Sequence, residues 1–109
     1  VTCTCAGAGH GALTARAFTS ILIDEATQVV GPVCLIPCSC AHRLVLIGDP
    51  HQLPPAVATQ AAQEFGFHIS LFERLQWQSF NNCDFTTLLD LQFRMLPQIA
   101  QFPSQYFYD

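Results

Sequence analysis

Apolar runs along this chain alternate with turn signals and helix-like stretches, the pattern of an α/β fold with a largely parallel sheet. The run Phe18–Ile23 (Phe-Thr-Ser-Ile-Leu-Ile) predicts a buried strand that ends at two acids, and the apolar run at 44–47 predicts a second that ends at Gly48-Asp49. Between them, residues 32–40 are apolar and begin with Pro32, a residue favoured in the first turn of a helix. The resulting strand–helix–strand unit has about the length a parallel crossover needs. Residues 1–5 predict a further strand, entering a loop at 6–11. Beyond Gly48 a Pro-rich loop at 49–57 leads through weakly helical sequence to a helix at 70–76. Residues 85–92 predict another strand, and 97–108 a short helix followed by a turn at Pro103. The Asn81-Asn82 pair marks the expected junction between two units, 1–82 and 83–109.

Composition narrows this picture. Of 109 residues, 50% are hydrophobic and only 11% are charged, against a usual charged share of about a quarter. A chain so poor in charge is expected to have much of its surface covered by other protein, as an internal piece of a larger fold would. The formal net charge is −4, with four Arg and no Lys. A stand-alone nucleic-acid binder draws most of its affinity from a basic face, and nothing here supplies one. Any nucleic-acid contact is therefore expected from backbone groups, hydroxyls or other parts of the protein. Six Cys are present, and Cys34, Cys38, Cys40 and His42 form the one cluster with ligand-like spacing. The second ligand pair of a structural zinc site is missing, so free thiols are expected. No signal-peptide pattern is present, and no apolar run approaches the ~20 residues that span a bilayer; the expected setting is cytoplasmic or nuclear, with no membrane partner.

Three short segments carry candidate chemistry. In Ile21-Leu22-Ile23-Asp24-Glu25 two carboxylates sit at the carboxyl end of a strand, where open α/β sheets bind ligands. One acid there can hold Mg²⁺ and the next can accept a proton from an attacking water. Taken alone, this pattern fits a solvated strand end equally well. In Gly48-Asp49-Pro50-His51-Gln52-Leu53-Pro54-Pro55 a second strand end carries a Gln, whose amide can donate to a phosphate oxygen and accept from water. In Gln92-Phe93-Arg94-Met95-Leu96-Pro97 an Arg follows a predicted strand and can present its guanidinium fork to a phosphate.

In this order and combination, the segments resemble the superfamily 1 helicases, in the branch that includes the RNA helicase of nonsense-mediated mRNA decay. Asp24-Glu25-Ala26-Thr27-Gln28 is similar to motif II of that branch, Gly48 through Pro55 to motif III, and Gln92 through Pro97 to motif IV. Cys3 through Gly9, Ser70 through Leu75, and Phe102-Pro103-Ser104 ahead of Tyr106-Phe107-Tyr108 agree as spacers. The resemblance covers nearly the whole chain. It implies a P-loop NTPase (RecA-like) fold, a parallel sheet with flanking helices, of which this chain would be an incomplete portion. It implies ATP and Mg²⁺ as cofactors and single-stranded RNA or DNA as partner, with protein partners in RNA processing or decay. By residue, it implies Asp24 for Mg²⁺, Glu25 for activating water, and Gln52 for sensing the γ-phosphate with Asp49 supporting its loop. Arg94 would be an arginine finger from the second RecA-like domain, and Thr4, Gly7 and Gly9 would lie near the nucleic-acid backbone.

Phe93 and Leu96 depart from the usual Tyr and His of motif IV, and no Gly-x-x-x-x-Gly-Lys-Ser/Thr segment occurs. The chain by itself is therefore expected to be inactive, and a non-catalytic remnant is the first alternative. A second is part of a dinucleotide-binding oxidoreductase, since Gly7-Ala8-Gly9-His10-Gly11-Ala12 fits G-x-G-x-x-A after a predicted strand. Its acids, however, fall about a dozen residues on instead of the roughly 20 the fingerprint needs.

Overall fold

The computed structural model describes residues 1–79 and 85–108. The expected junction at Asn81-Asn82, and Cys83, lie outside the described residues. After a 3₁₀ turn at Gly7–Gly9 comes the short helix α1, Gly11–Thr14, capped by the His10 ring. Strand β1 spans Phe18–Ile23, and a second 3₁₀ turn at Ala26–Gln28 leads into helix α2, Gly31–Cys38. Strand β2 spans Ala41–Leu46. Three helices follow: α3 at Gln60–Glu64, α4 at Leu71–Ser79 and α5 at Pro97–Phe107.

β1 and β2 pair in parallel, with Phe18 opposite Ala41 and Ile23 opposite Leu46. The strand–helix–strand unit expected from the apolar pattern is thus present, with Pro32 in the first turn of α2. Successive strand side chains point to opposite faces, and burial follows that period. Ile21, Ile23, Leu44 and Leu46 face the small core around Ala26 and Cys34, with Cys5, Val29, Leu71 and Phe72 against it. On the other face Leu22 and Val45 are exposed. The strands are therefore buried on one face only within this chain.

Helix α4 docks through its first turn. The Ser70 hydroxyl accepts from the Glu73 N–H, and the Glu73 carboxylate accepts from both the Ser70 N–H and the Ser70 hydroxyl. This reciprocal cap satisfies donors that a helix start leaves open. Ser70 is fully buried and bridges to Val30, just before α2.

Three expectations are corrected. Residues 85–92 and 1–5 form no strand. A strand exists by pairing, and the described residues hold only the β1–β2 ladder; Phe85, Leu88, Leu89 and Leu91 instead lie exposed. Pro103 does not end the last helix, which runs through it to Phe107. Pro103 forfeits one backbone donor, while Phe102 and Tyr106 stack one turn apart with ring centroids 5.6 Å apart and hold the helix across it. The Cα radius of gyration is 16.0 Å, against about 13 Å for a compact chain of this length. No helix among the described residues is long and apolar enough to cross a membrane.

Candidate active site

The ladder of β1 and β2 continues past their formal ends and sets the geometry of the site. The Ile47 N–H donates to the Ile23 carbonyl at 2.9 Å, and the Ala26 N–H donates to the Ile47 carbonyl at 2.8 Å. The segment carrying Asp24 and Glu25 is therefore stitched to the segment carrying Gly48 and Asp49. Gly48 makes this approach possible. A Cβ there would lie 3.1 Å from both the Thr27 methyl and the Thr27 backbone nitrogen.

At the end of β1, Asp24 Oδ1 accepts from the Glu25 N–H at 3.0 Å. Glu25 is left-handed (φ 53°, ψ 40°), the one described residue other than glycine with positive φ. Such a conformation is sparsely populated for a residue with a Cβ and collects at functional sites. The twist lets adjacent acids leave the strand end without the strict alternation of a continuing strand. The Gln28 amide donates to Glu25 Oε2 at 2.9 Å. Both acids are exposed. Thr27 between them and Gly48 is 2% exposed, and its hydroxyl has no hydrogen-bond partner among the described residues.

At the end of β2, Asp49 organises its own loop. Oδ1 accepts from the His51 N–H at 3.0 Å, and Oδ2 accepts from the Gln52 amide at 2.7 Å and from the Tyr108 hydroxyl. Burial pushes the Asp49 pKa up, but the hydrogen bonds from Tyr108, Gln52 and His51 outweigh it, and the net shift is below the ordinary carboxylate value. The Tyr108 phenol is pushed up, first by its bond to Asp49 and then by burial and the Asp49 charge, against a smaller opposing pull from the Gln52 amide. The His51 ring meets the edge of Tyr108 at 5.4 Å between centroids.

Arg94 lies on an exposed turn shaped by Gln92, whose side-chain oxygen accepts from the Arg94 and Met95 N–H groups at 3.1 and 2.8 Å. Among the described residues no ion pair or hydrogen bond joins the Arg94 guanidinium to the carboxylates. Phe93 and Leu96, the two departures from the motif, are exposed as well. Thr4, Gly7 and Gly9 form a local turn. The Thr4 hydroxyl accepts from the Gly7 N–H at 3.0 Å, and a Cβ on Gly9 would come within 3.2 Å of Ile36 in α2. The structure thus brings Asp24 and Glu25 to the same edge as Asp49 and Gln52, and leaves Arg94 and the Thr4–Gly9 turn outside that cluster.

Two motif side chains with no role expected from the sequence have one here: Gln28 holds the Glu25 carboxylate and Gln92 shapes the Arg94 turn. Their signal was the spacing of an amide three residues after an acid and two before an arginine. Tyr108 had no local signal, since its partner lies 59 residues away in sequence.

Residues 1–60 match a family model described as AAA domain, and residues 67–109 match a second with the same description. The chain is 44% identical over its whole length to the regulator of nonsense transcripts 1 homolog of Drosophila melanogaster, covering 9% of that protein. It is 41% identical to the ATP-dependent helicase NAM7 of Saccharomyces cerevisiae, covering 11% of it. It is 38% identical to the DNA replication ATP-dependent helicase/nuclease DNA2 of Xenopus laevis, covering 10% of it; both of these matches also take in the whole chain. The chain belongs to the AAA-domain family, as a superfamily 1 helicase segment of the branch that holds the nonsense-transcript regulators. It spans about a tenth of the length of the curated relatives it matches. Membership displaces the dinucleotide-oxidoreductase alternative, and the local structure agrees. The glycine-rich hexamer follows no strand and opens a helix of only four residues.

Proposed function

We propose that the protein carrying this chain couples ATP hydrolysis to translocation on single-stranded nucleic acid. The observation that carries the reading is the junction at Gly48, which holds two strand-end loops together and so gathers Asp24, Glu25, Asp49 and Gln52 at one sheet edge. The donor set suits Mg²⁺, which takes one or two carboxylates and completes its shell with water and phosphate oxygens in place of a protein cage. Asp24 keeps Oδ2 available for it, since the bond from the Glu25 N–H uses Oδ1. When bound, the ion would neutralise charge on the β- and γ-phosphates.

Glu25 takes the proton of the attacking water, oriented by the Gln28 amide on Oε2. Gln52 has a second N–H and its carbonyl oxygen beyond the bond it gives Asp49, and these meet the terminal phosphate and its water. Arg94 reaches the same phosphate as an arginine finger when its domain closes on the first. Thr4, Gly7 and Gly9 approach the nucleic-acid backbone through the turn they build. Hydrolysis requires a phosphate-binding loop in addition to these residues, so the 109-residue chain alone does not turn over ATP. RNA is the preferred strand by analogy with the nonsense-transcript regulators, with partners in RNA processing or decay and action in cytoplasm or nucleus.

The test is nucleic-acid-stimulated ATPase of the full-length protein. Glu25→Gln and Arg94→Ala are each expected to lower kcat by at least about a hundredfold. A protein indifferent to both refutes the roles.

A further inference from the structure

We propose that Tyr108 is a positioning residue for Gln52: its hydroxyl, delivered to Asp49 Oδ2 by helix α5, holds the carboxylate that fixes which way the Gln52 amide faces. The inference rests on the reading of Gln52 as the group that meets the terminal phosphate. It begins from the saturation of Asp49. Three donors from three residues converge on one carboxylate, and two of them, the Gln52 amide and the Tyr108 hydroxyl, share Oδ2. A carboxylate only accepts, so it dictates that the nitrogen side of the Gln52 amide faces it. One amide N–H is thereby held, and the other N–H and the carbonyl oxygen are directed away from Asp49.

Asp49 can impose that choice only while its own side chain is fixed. The His51 N–H fixes Oδ1 from within the same loop. The constraint on Oδ2 from outside the loop is Tyr108, one residue beyond the end of α5. The His51 ring sits against both Phe107 and Tyr108, with centroids 6.3 and 5.4 Å away, so the helix end is seated by rings as well as by the hydroxyl. Helix α5 begins three residues after Arg94. The loop of Gln52 and the turn of Arg94 are thus tied to the two ends of one short element, and a displacement of that element moves the clamp on Gln52.

Two experiments test this. The chain contains two tyrosines, Tyr106 and Tyr108, so in Tyr106→Phe the tyrosinate absorbance of the 109-residue chain, first shown to be folded by a cooperative urea melt, reports Tyr108 alone. The charged and titratable groups facing the phenol are Asp49 and His51. Its ionisation is expected above the ordinary phenol value, and Asp49→Asn is expected to bring it back toward that value. Ionisation at the ordinary value with Asp49 intact overturns the contact.

In the full-length protein, Tyr108→Phe keeps the ring against His51 and removes only the hydroxyl. It is expected to lower kcat for ATP by about tenfold with KM changed less than about twofold, as loss of orientation without loss of binding does. Added to Asp49→Ala, which leaves the phenol no carboxylate to hold, Tyr108→Phe is expected to cost much less than it does alone. A raised KM with unchanged kcat, or additive effects of the two substitutions, overturns the positioning role. If Glu25→Gln abolishes hydrolysis while Tyr108→Phe leaves kcat intact, this inference fails and the functional reading stands. If Glu25→Gln is silent, the functional reading fails and takes the role of Tyr108 with it.

Discussion

Gly48→Ala isolates the junction on which the site depends. Gly48 does not have a positive φ, so alanine meets no backbone penalty and the perturbation is purely one of space. The new methyl would lie 3.1 Å from the Thr27 methyl, 3.1 Å from the Thr27 nitrogen and 3.4 Å from the Ala26 nitrogen, where ordinary carbon contacts begin near 3.5 Å. Neither loop can simply retreat. The Ile47 N–H is bonded to the Ile23 carbonyl and the Ala26 N–H to the Ile47 carbonyl, on either side of the contact. Overpacking of this kind destabilises by about 1–3 kcal/mol. For a chain of this size that lowers the melting temperature by about 4 °C or more. Urea melts of Gly48→Ala should show a lower midpoint with an unchanged slope. Thr27→Ser removes the methyl but leaves the backbone nitrogen, so the double variant should recover roughly half of the loss, measured as a double-mutant cycle. A neutral Gly48→Ala, or a loss that Thr27→Ser does not relieve, would show that the two loops are not held this closely.

Thr27→Val replaces a buried hydroxyl that has no partner among the described residues with a methyl, and should stabilise the chain by about 1 kcal/mol in the same melts; destabilisation would mean the hydroxyl is bonded. Burial, with the neighbouring Cys38 and Cys5 adding to it, pushes the Cys34 thiol up to about 11. At pH 8 an alkylating reagent should therefore label exposed Cys3 rapidly and Cys34 only on unfolding, and peptide mapping that finds Cys34 labelled early refutes the packing of α2 on the sheet. Asp49 has a folded pKa below its unfolded one, so its ionised form adds stability above the ordinary carboxylate range, near pH 4, that is lost as pH falls through the folded value. Asp49→Asn should flatten that part of the acid limb of a stability–pH profile, and an identical limb in both proteins counts against the Asp49 hydrogen bonds.

The two strands, the crossover helix and the acids at the strand ends were legible because each is a local matter. A run of apolar residues sets a strand, and a Pro in the first turn sets a helix start; the Ser70–Glu73 cap, by contrast, was seen only in the structure. The motif residues were legible for the same reason, since their spacing is short and their chemistry belongs to the side chains themselves. What the sequence misjudged depended on neighbours. Residues 85–92 have strand-like composition, yet a strand needs a second strand beside it, and composition is silent on whether one is there. Pro103 reads as a stop, yet rings one turn apart on α5 carry the helix through it. Likewise, the role of Gly48 is invisible until the Thr27 backbone is seen 3.1 Å from where its Cβ would stand. The bond from Tyr108 to Asp49 joins residues 59 apart, and no periodicity reports such a pairing. Sequence alone supplied the candidate groups for acting on a phosphate. Tertiary structure decided which of them are held together, because that is a question of distance between segments, and distance is set by packing.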